Sequence, residues 1–123
     1  MTSKKKASAV LLRPRLYIGP AIAIGPGKID LLRAVADTRS IAAAARSLGL
    51  PYKRAWLLID SLNAGFGRPV VDTTTGGKGG GGACLTPLGQ RIVAAYDALE
   101  RRLNAEAVPE LELLRELAKR PAT

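Results

Sequence analysis

Between Arg39 and Asp60 the chain reads RSIAAAARSLGLPYKRAWLLID, and few folds accept that stretch. Ile41, Ala44, Ala45 and Leu48 recur at three- and four-residue intervals, the spacing that lines one face of an α-helix. Ser40 stands just ahead of them, where a hydroxyl can accept from the unpaired N–H groups of the first turn, and the alanines that follow lose little entropy on becoming helical. Gly49 supplies the stop, since a residue without a Cβ enters the left-handed conformation cheaply. Leu50 is expected to point back into a shared core. Pro51 opens a second helix where its missing N–H has no partner to lose. In that helix Ala55, Ile59 and Leu62 fall on the inner face with Leu58 at its margin, Tyr52 and Lys53 fall on the outer one, and Trp56 is open to either. The small side chains of Ala44 and Ala45 let the two helices cross closely. This is the layout of a helix-turn-helix DNA reader, although a purely structural helix pair joined by Gly-Leu shows much the same spacing.

Charge strengthens the first reading. Lys and Arg number 19 against 10 for Asp and Glu, a formal +9 with no histidine, which favours an anionic partner. No apolar run approaches the roughly 20 residues needed to cross a bilayer, and the basic start MTSKKK leads into only a short apolar patch. A cytoplasmic protein with no membrane partner is therefore expected. Cys84 is the one cysteine, so an internal disulfide and a cysteine-based zinc cluster are both excluded, and its place beside a strand suggests a small buried hydrophobe rather than a nucleophile. Asp30, Asp37, Asp60, Asp72 and Asp97 are scattered without a close acidic pair. No catalytic residue, metal ligand or cofactor is expected, and the chain is not read as an enzyme; a carboxylate-and-metal nuclease is the enzymatic alternative.

At 123 residues the chain has room for one domain. We read 1–9 as a basic disordered tail, 10–86 as the DNA-binding domain and 87–123 as carboxy-terminal helices. The text VLLRPRLYIGPAIAI, with its Gly19-Pro20 turn signal, predicts one or two short edge strands. Pro26 and Gly27 introduce a helix from Lys28 to about Ala36, buried along Ile29, Leu32 and Val35. Residues 69–75 and 83–85 read as two strands joined by GGKGGGG, six of whose seven residues are glycine. Such a run is a hairpin tip or a bare linker. A nucleotide-cradling loop would need Ser or Thr after its lysine, and Lys78 is followed by Gly79. Directly after a helix-turn-helix, a hairpin is most simply a wing. Thr86 then caps a helix with Pro87 in its first turn, and Leu88, Ile92, Ala95, Leu99 and Leu103 repeat along it. After an interruption at Pro109, Leu111, Leu114 and Leu117 resume the stripe on a short final helix. A stripe of that length on a small domain favours a homodimer contact over packing within the chain.

With these elements in that order, GPGKIDLLRAVADTRSIAAAARSLGLPYKRAWLLIDSLN (residues 25–63) and GGKGGGGACLTPLGQRI (residues 76–92) resemble the amino-terminal DNA-binding domain of ModE-type molybdate-responsive transcriptional regulators. More distantly the chain is similar to the DNA-binding domain of LysR-type regulators. The resemblance covers somewhat more than the central half of the chain. It implies a mainly α fold with a small β component, a winged helix-turn-helix with a long carboxy-terminal dimerisation helix. It further implies a dimer on a two-fold-related operator in double-stranded DNA, near genes for molybdenum uptake or use. Tyr52, Lys53, Arg54 and Trp56 would belong to the recognition helix, and Gly77, Lys78 and Gly79 to the wing. Full-length members continue into a molybdate-binding module of small β-barrels, for which a chain ending at Thr123 has no room, so molybdate is not expected to bind this chain directly. Pro51, where the family often has a small polar residue, removes one potential phosphate contact.

The expected DNA-binding set is thus Arg39, Ser40, Tyr52, Lys53, Arg54, Trp56, Gly77, Lys78 and Gly79, and the dimerisation set is Leu88, Ile92, Leu99, Leu103, Leu111, Leu114 and Leu117. Either Lys53 or Arg54 could reach guanine O6 and N7 in the major groove, with the other on phosphate. Trp56 serves equally as a core anchor, and Arg39 as an ordinary solvated arginine. The competing function is a basic architectural or protein-interaction module that touches nucleic acid without sequence preference.

Overall fold

The computed structural model describes residues 11–74 and 82–119. The expected basic tail and the hairpin tip bearing Gly77, Lys78 and Gly79 lie outside them. The chain divides into two compact units, one from Pro14 to Tyr96 and one from the residues on either side of it. No described helix is long and apolar enough to cross a membrane.

The first unit opens with a hairpin of β1 (Leu16–Ile18) and β2 (Ile22–Ile24), antiparallel with Leu16 opposite Ile24 and turned at Gly19, φ 60°. Helix α1 (Pro26–Thr38) begins two residues before the expected Lys28, because Pro26 itself takes the first helical position. Besides Ile29, Leu32 and Val35, it buries Leu31 completely, so the buried face is wider than the predicted stripe. Helices α2 (Ile41–Ser47) and α3 (Tyr52–Phe66) follow as the spacing predicts. Gly49 between them takes φ 69°, and the Leu50 N–H returns to the Ala45 carbonyl at 2.8 Å. Leu48 departs from expectation. It caps α2 rather than continuing it and is 38% exposed, since the turn at Gly49 carries it off the buried face.

A second hairpin pairs β3 (Val71–Thr74) with β4 (Gly82–Leu85), with Val71 opposite Leu85 and Asp72 opposite Cys84. The strand starts at Val71 rather than Pro69. The expected buried Cys84 is corrected here: it is exposed. Alternation along β4 turns Ala83 and Leu85 inward, and Cys84 therefore faces solvent beside Asp72. A two-stranded wing behind a helix-turn-helix makes this unit a winged helix. Its core is continuous through all these elements, and its largest fully enclosed side chains include Ile29, Leu31, Ile59, Leu62 and Val70. Each such burial contributes about 1.5–3 kcal/mol.

Thr86 fixes the wing's root to α4 (Pro87–Glu106). Its N–H donates to the Val70 carbonyl at 3.0 Å, its hydroxyl donates to the Pro69 carbonyl at 2.9 Å, and the same oxygen accepts from the Gly89 N–H at 3.0 Å. Tyr96, not Ala95, continues the inward face of α4. It is 2% exposed, and its hydroxyl donates to the Pro14 carbonyl at 2.6 Å. Leu88 and Ile92, expected in a dimer contact, pack partly buried against the core of this same chain.

In the second unit the Asn104 side chain satisfies the backbone of Leu12 in both directions, accepting from its N–H at 2.7 Å and donating to its carbonyl at 3.0 Å. Helix α5 (Val108–Lys119) accommodates Pro109 in its first turn, and the break falls at Ala107 instead. Leu99 and Leu111 are half-buried, Leu103 is 36% exposed, and Leu114 and Leu117 are each 56% exposed. Val108 and Leu113, which the predicted stripe omits, are exposed beside them.

The junction at Gly89 generates a sharp expectation. A Cβ there would overlap the Val70 carbonyl oxygen, a backbone atom held by Thr86, whereas a Cβ at Gly27 in the first turn of α1 meets nothing within 4 Å. Gly89→Ala should lower stability in urea unfolding by about 3 kcal/mol. Gly27→Ala should raise it by roughly 0.5–1 kcal/mol.

Candidate nucleic-acid interface

The helix-turn-helix and the wing share one open cleft of about 330 Å³, lined by Ser40 with Ile41 and Ala42 at the start of α2, Tyr52 and Trp56 from α3, and Thr73, Thr74, Gly82 and Ala83 from the wing. Several hydrogen bonds hold these edges in place. Arg39 ends α1 in the left-handed conformation, φ 61° and ψ 28°, a non-glycine strain that its neighbours over-determine. Its N–H donates to the Val35 carbonyl at 2.8 Å, and its own carbonyl accepts the Ala83 N–H at 3.0 Å, so α1 and β4 are joined at this residue. Ser40 is extended, and its hydroxyl accepts from the Ala43 N–H at 3.0 Å as the sequence predicts. At the far end of α3, Asn63 Oδ1 accepts from the Val70 N–H at 2.8 Å, which ties the helix to the start of the wing.

The inner face of α3 is Ala55, Ile59 and Leu62, all buried. At 3.6 residues per turn, Lys53 and Leu57 share the opposite face, pointing furthest from the core. Tyr52 and Trp56 share the flank beside the wing, their rings edge-to-face with centroids 6.4 Å apart. Arg54 and Ser61 share the other flank. Tyr52, Lys53 and Arg54 are all exposed. Trp56 packs partly buried against the core, as one of its two readings expects, and also lines the cleft. Arg39 is exposed beside the wing, and Ser40 half-buried.

Several residues here carried no legible signal. Thr73 and Thr74 join the cleft only because β3 pairs with β4, which Arg39 ties to the end of α1, and a threonine pair in a strand is otherwise unremarked. Leu57 is 51% exposed on the outermost face of α3. Lys28, read only as a helix start, reaches α3: its Nζ donates to the Ala23 carbonyl at 2.7 Å and to Ser61 Oγ at 3.1 Å. Burial holds its pKa below the usual lysine value, and the nearby charges of Arg15 and then Arg54 push it further down.

The model of the family described as "Bacterial regulatory helix-turn-helix protein, lysR family" matches residues 27–90. The chain is 48% identical over 77 residues to the molybdenum-pterin-binding protein MopB of Rhodobacter capsulatus, covering 63% of this chain and 28% of that protein. It is 35% identical over 121 residues to the transcriptional regulator ModE of Haemophilus influenzae, covering 93% of this chain and 47% of that one. The chain therefore spans less than half the length of these curated relatives. Among solved structures, the CbnR DNA-binding domain in complex with DNA superposes with a TM-score of 0.52 at 22% identity, covering 76% of this chain and 97% of that one. That likeness establishes the fold.

The Ser40 hydroxyl caps the first turn of α2, and unfolding in the absence of DNA reads that role by itself. Ser40→Ala should lower unfolding stability by about 1 kcal/mol, and Ser40→Asp, which keeps an accepting oxygen, should hold it to within about 0.5 kcal/mol of the parent in the same urea titration.

Proposed function

The chain belongs to the lysR-type bacterial regulatory helix-turn-helix family, and from that premise we propose that it binds double-stranded DNA sequence-specifically, as a dimer, in the control of molybdenum uptake or utilisation genes. The observation that carries the reading is the convergence of the start of α2, the exposed face of α3 and the wing strands on one cleft, with Lys53 standing clear of it. A B-form major groove is wide enough to admit α3 and offers a distinct donor and acceptor pattern at each base pair. The relatives named as ModE regulators and a molybdenum-pterin-binding protein support the regulatory role and the molybdenum connection.

Position on α3 divides the labour between the two cations that the sequence left unranked. Lys53 lies opposite the core and reads bases, guanine O6 and N7 being the best acceptors for it. Leu57, one turn on, offers an apolar surface to a thymine methyl group. Arg54 sits on the flank and meets backbone rather than bases. Tyr52 and Trp56 line the wing side, where Tyr52 can donate to phosphate, and Arg39 and Ser40 border the same strand. Gly77, Lys78 and Gly79 of the wing tip serve the adjacent minor groove or backbone through charge and close approach.

The dimer contact falls on the carboxy-terminal helices. Leu88 and Ile92 are committed to the core of their own chain, which leaves Leu103, Val108, Leu113, Leu114 and Leu117 as the apolar surface that a second copy would cover.

Selection of bound sites from randomised duplex DNA, followed by anisotropy titrations, tests the function. A two-fold-related consensus is expected, and Lys53→Ala should relax its preference at one position in each half-site at a cost of about 1–3 kcal/mol. Binding that is indifferent to sequence would instead favour the architectural module. For the dimer, Leu114→Glu with Leu117→Glu should convert the sedimenting species to monomer without loss of helical signal. An unchanged mass would refute that interface.

A further inference from the structure

Three cations from distant parts of the sequence meet on the flank of α3 that faces away from the wing. Arg15 precedes β1 and lies along Gly25, its guanidinium carbon 3.4 Å from where a Cβ on that glycine would stand. Lys28, in the first turns of α1, is held toward α3 by its bonds to the Ala23 carbonyl and to Ser61 Oγ. Arg54 lies two turns before Ser61 and so on the same face of α3. The ion pairs of Arg13 with Glu100, Arg33 with Asp30 and Arg115 with Glu112 draw on none of these three cations. Burial is the main reason the Lys28 pKa lies low, and the like charges of Arg15 and then Arg54 lower it further.

Such an arrangement raises the free energy of the unbound protein, and an anion placed among the three relieves it. The start of α1 adds to the positive field. Its N-cap is Gly25, which has no side chain to cap the first turn, and the helix is 13 residues long. Arginine's fixed fork of donors matches a phosphate oxygen pair, and the lysine supplies a point charge between two such forks. Arg15 and Arg54 are exposed while Lys28 is half-buried, so an anion can reach all three from solvent.

We propose that Arg15, Lys28 and Arg54 together hold one backbone phosphate of the DNA duplex, on the strand that borders the major groove opposite the wing. This rests on the DNA-binding reading above and adds a second, independent grip to it. With Tyr52 and the wing on one side of α3 and this set on the other, contacts to both strands bracket Lys53 and fix how deeply and at what angle α3 enters the groove. Phosphate contacts of this kind position a protein without themselves carrying sequence information.

The test uses Arg15→Gln, an exposed position, in anisotropy titrations against the selected duplex and a scrambled one over a range of salt. Arg15→Gln should weaken both duplexes alike, about three- to tenfold, and reduce the slope of log K against log salt by about one, while Arg15→Lys should retain most of the slope. Duplexes with single methylphosphonate linkages should then reveal one backbone position in each half-site where neutralisation weakens the parent protein but not the variant. An unchanged salt slope, or methylphosphonate losses identical in the two proteins, would overturn the proposal. Inorganic phosphate titrated without DNA, followed at the Lys28 amide, should leave the signal unmoved at millimolar concentration; saturation there with an unchanged DNA slope would assign the site to a small oxyanion instead. Failure of the parent to select any consensus would reject the sequence-specific reading alone, because an Arg15 effect on scrambled DNA would still stand.

Discussion

The close crossing of α2 and α3 is the constraint on which the rest of the molecule depends. Ala44, Ala45 and Ala55 are essentially inaccessible, and side chains that small suit two helices joined by a turn as short as Leu48 to Pro51. The turn is closed by Gly49 in the left-handed region and by the hydrogen bond from Leu50 back to Ala45. A larger residue at Ala44 would push α3 outward, since a packed interior absorbs extra methylenes only by moving backbone. That displacement would carry Lys53, Leu57 and Arg54 with it. The geometry of the exposed face of α3 is therefore set from behind, by residues that never meet a ligand.

The wing is positioned with comparable economy. Arg39 receives β4 through its carbonyl, Asn63 receives the segment before β3 through its side chain, and Thr86 closes the root by bonding both Pro69 and Gly89. Each tie joins the hairpin to a different helix, so rotation about any one of them is blocked by the others. The strain at Arg39 belongs to this scheme. A left-handed arginine is tolerated because its N–H and its carbonyl are both committed, one to α1 and one to the wing.

How much of this was legible follows from the range of the signals. Helix positions, the Ser40 cap, the Gly49 stop and the inner face of α3 are encoded within seven or eight residues of one another, and periodicity with capping chemistry recovers them. The ends of elements were less secure: α1 starts earlier than its apolar stripe, and Leu48 follows the stripe but is turned away by the next residue. Cys84 was misplaced because a four-residue strand fixes its face by register with Asp72, which its own neighbours do not reveal. Tyr96 displaced Ala95 on the inner face of α4 because Pro14, more than eighty residues earlier, supplies the acceptor for its hydroxyl. Lys53 and Arg54 are adjacent and chemically alike, so residue type does not rank them, although the inner face of Ala55, Ile59 and Leu62 already gives them different directions. Arg15 and Lys28 had no local signal at all, because what distinguishes them is proximity across the fold.

That last pair bears on how a strongly basic chain turns charge into recognition. A formal +9 draws any anionic surface, and exposed arginines such as Arg46, Arg68 and Arg91 contribute to that attraction wherever they sit. A mobile side chain loses its rotamer freedom when it engages phosphate, a cost of up to about 2 kcal/mol for arginine or lysine. Lys28 has already lost much of that freedom, because Ala23 and Ser61 hold its ammonium in the unbound protein. The free protein carries the penalty instead, as desolvation and as repulsion from Arg15 and Arg54. Fixed in this way, a charge discriminates between one phosphate position and the next rather than rewarding all of them equally. Recognition then depends less on the number of positive charges than on how few of them are free to move.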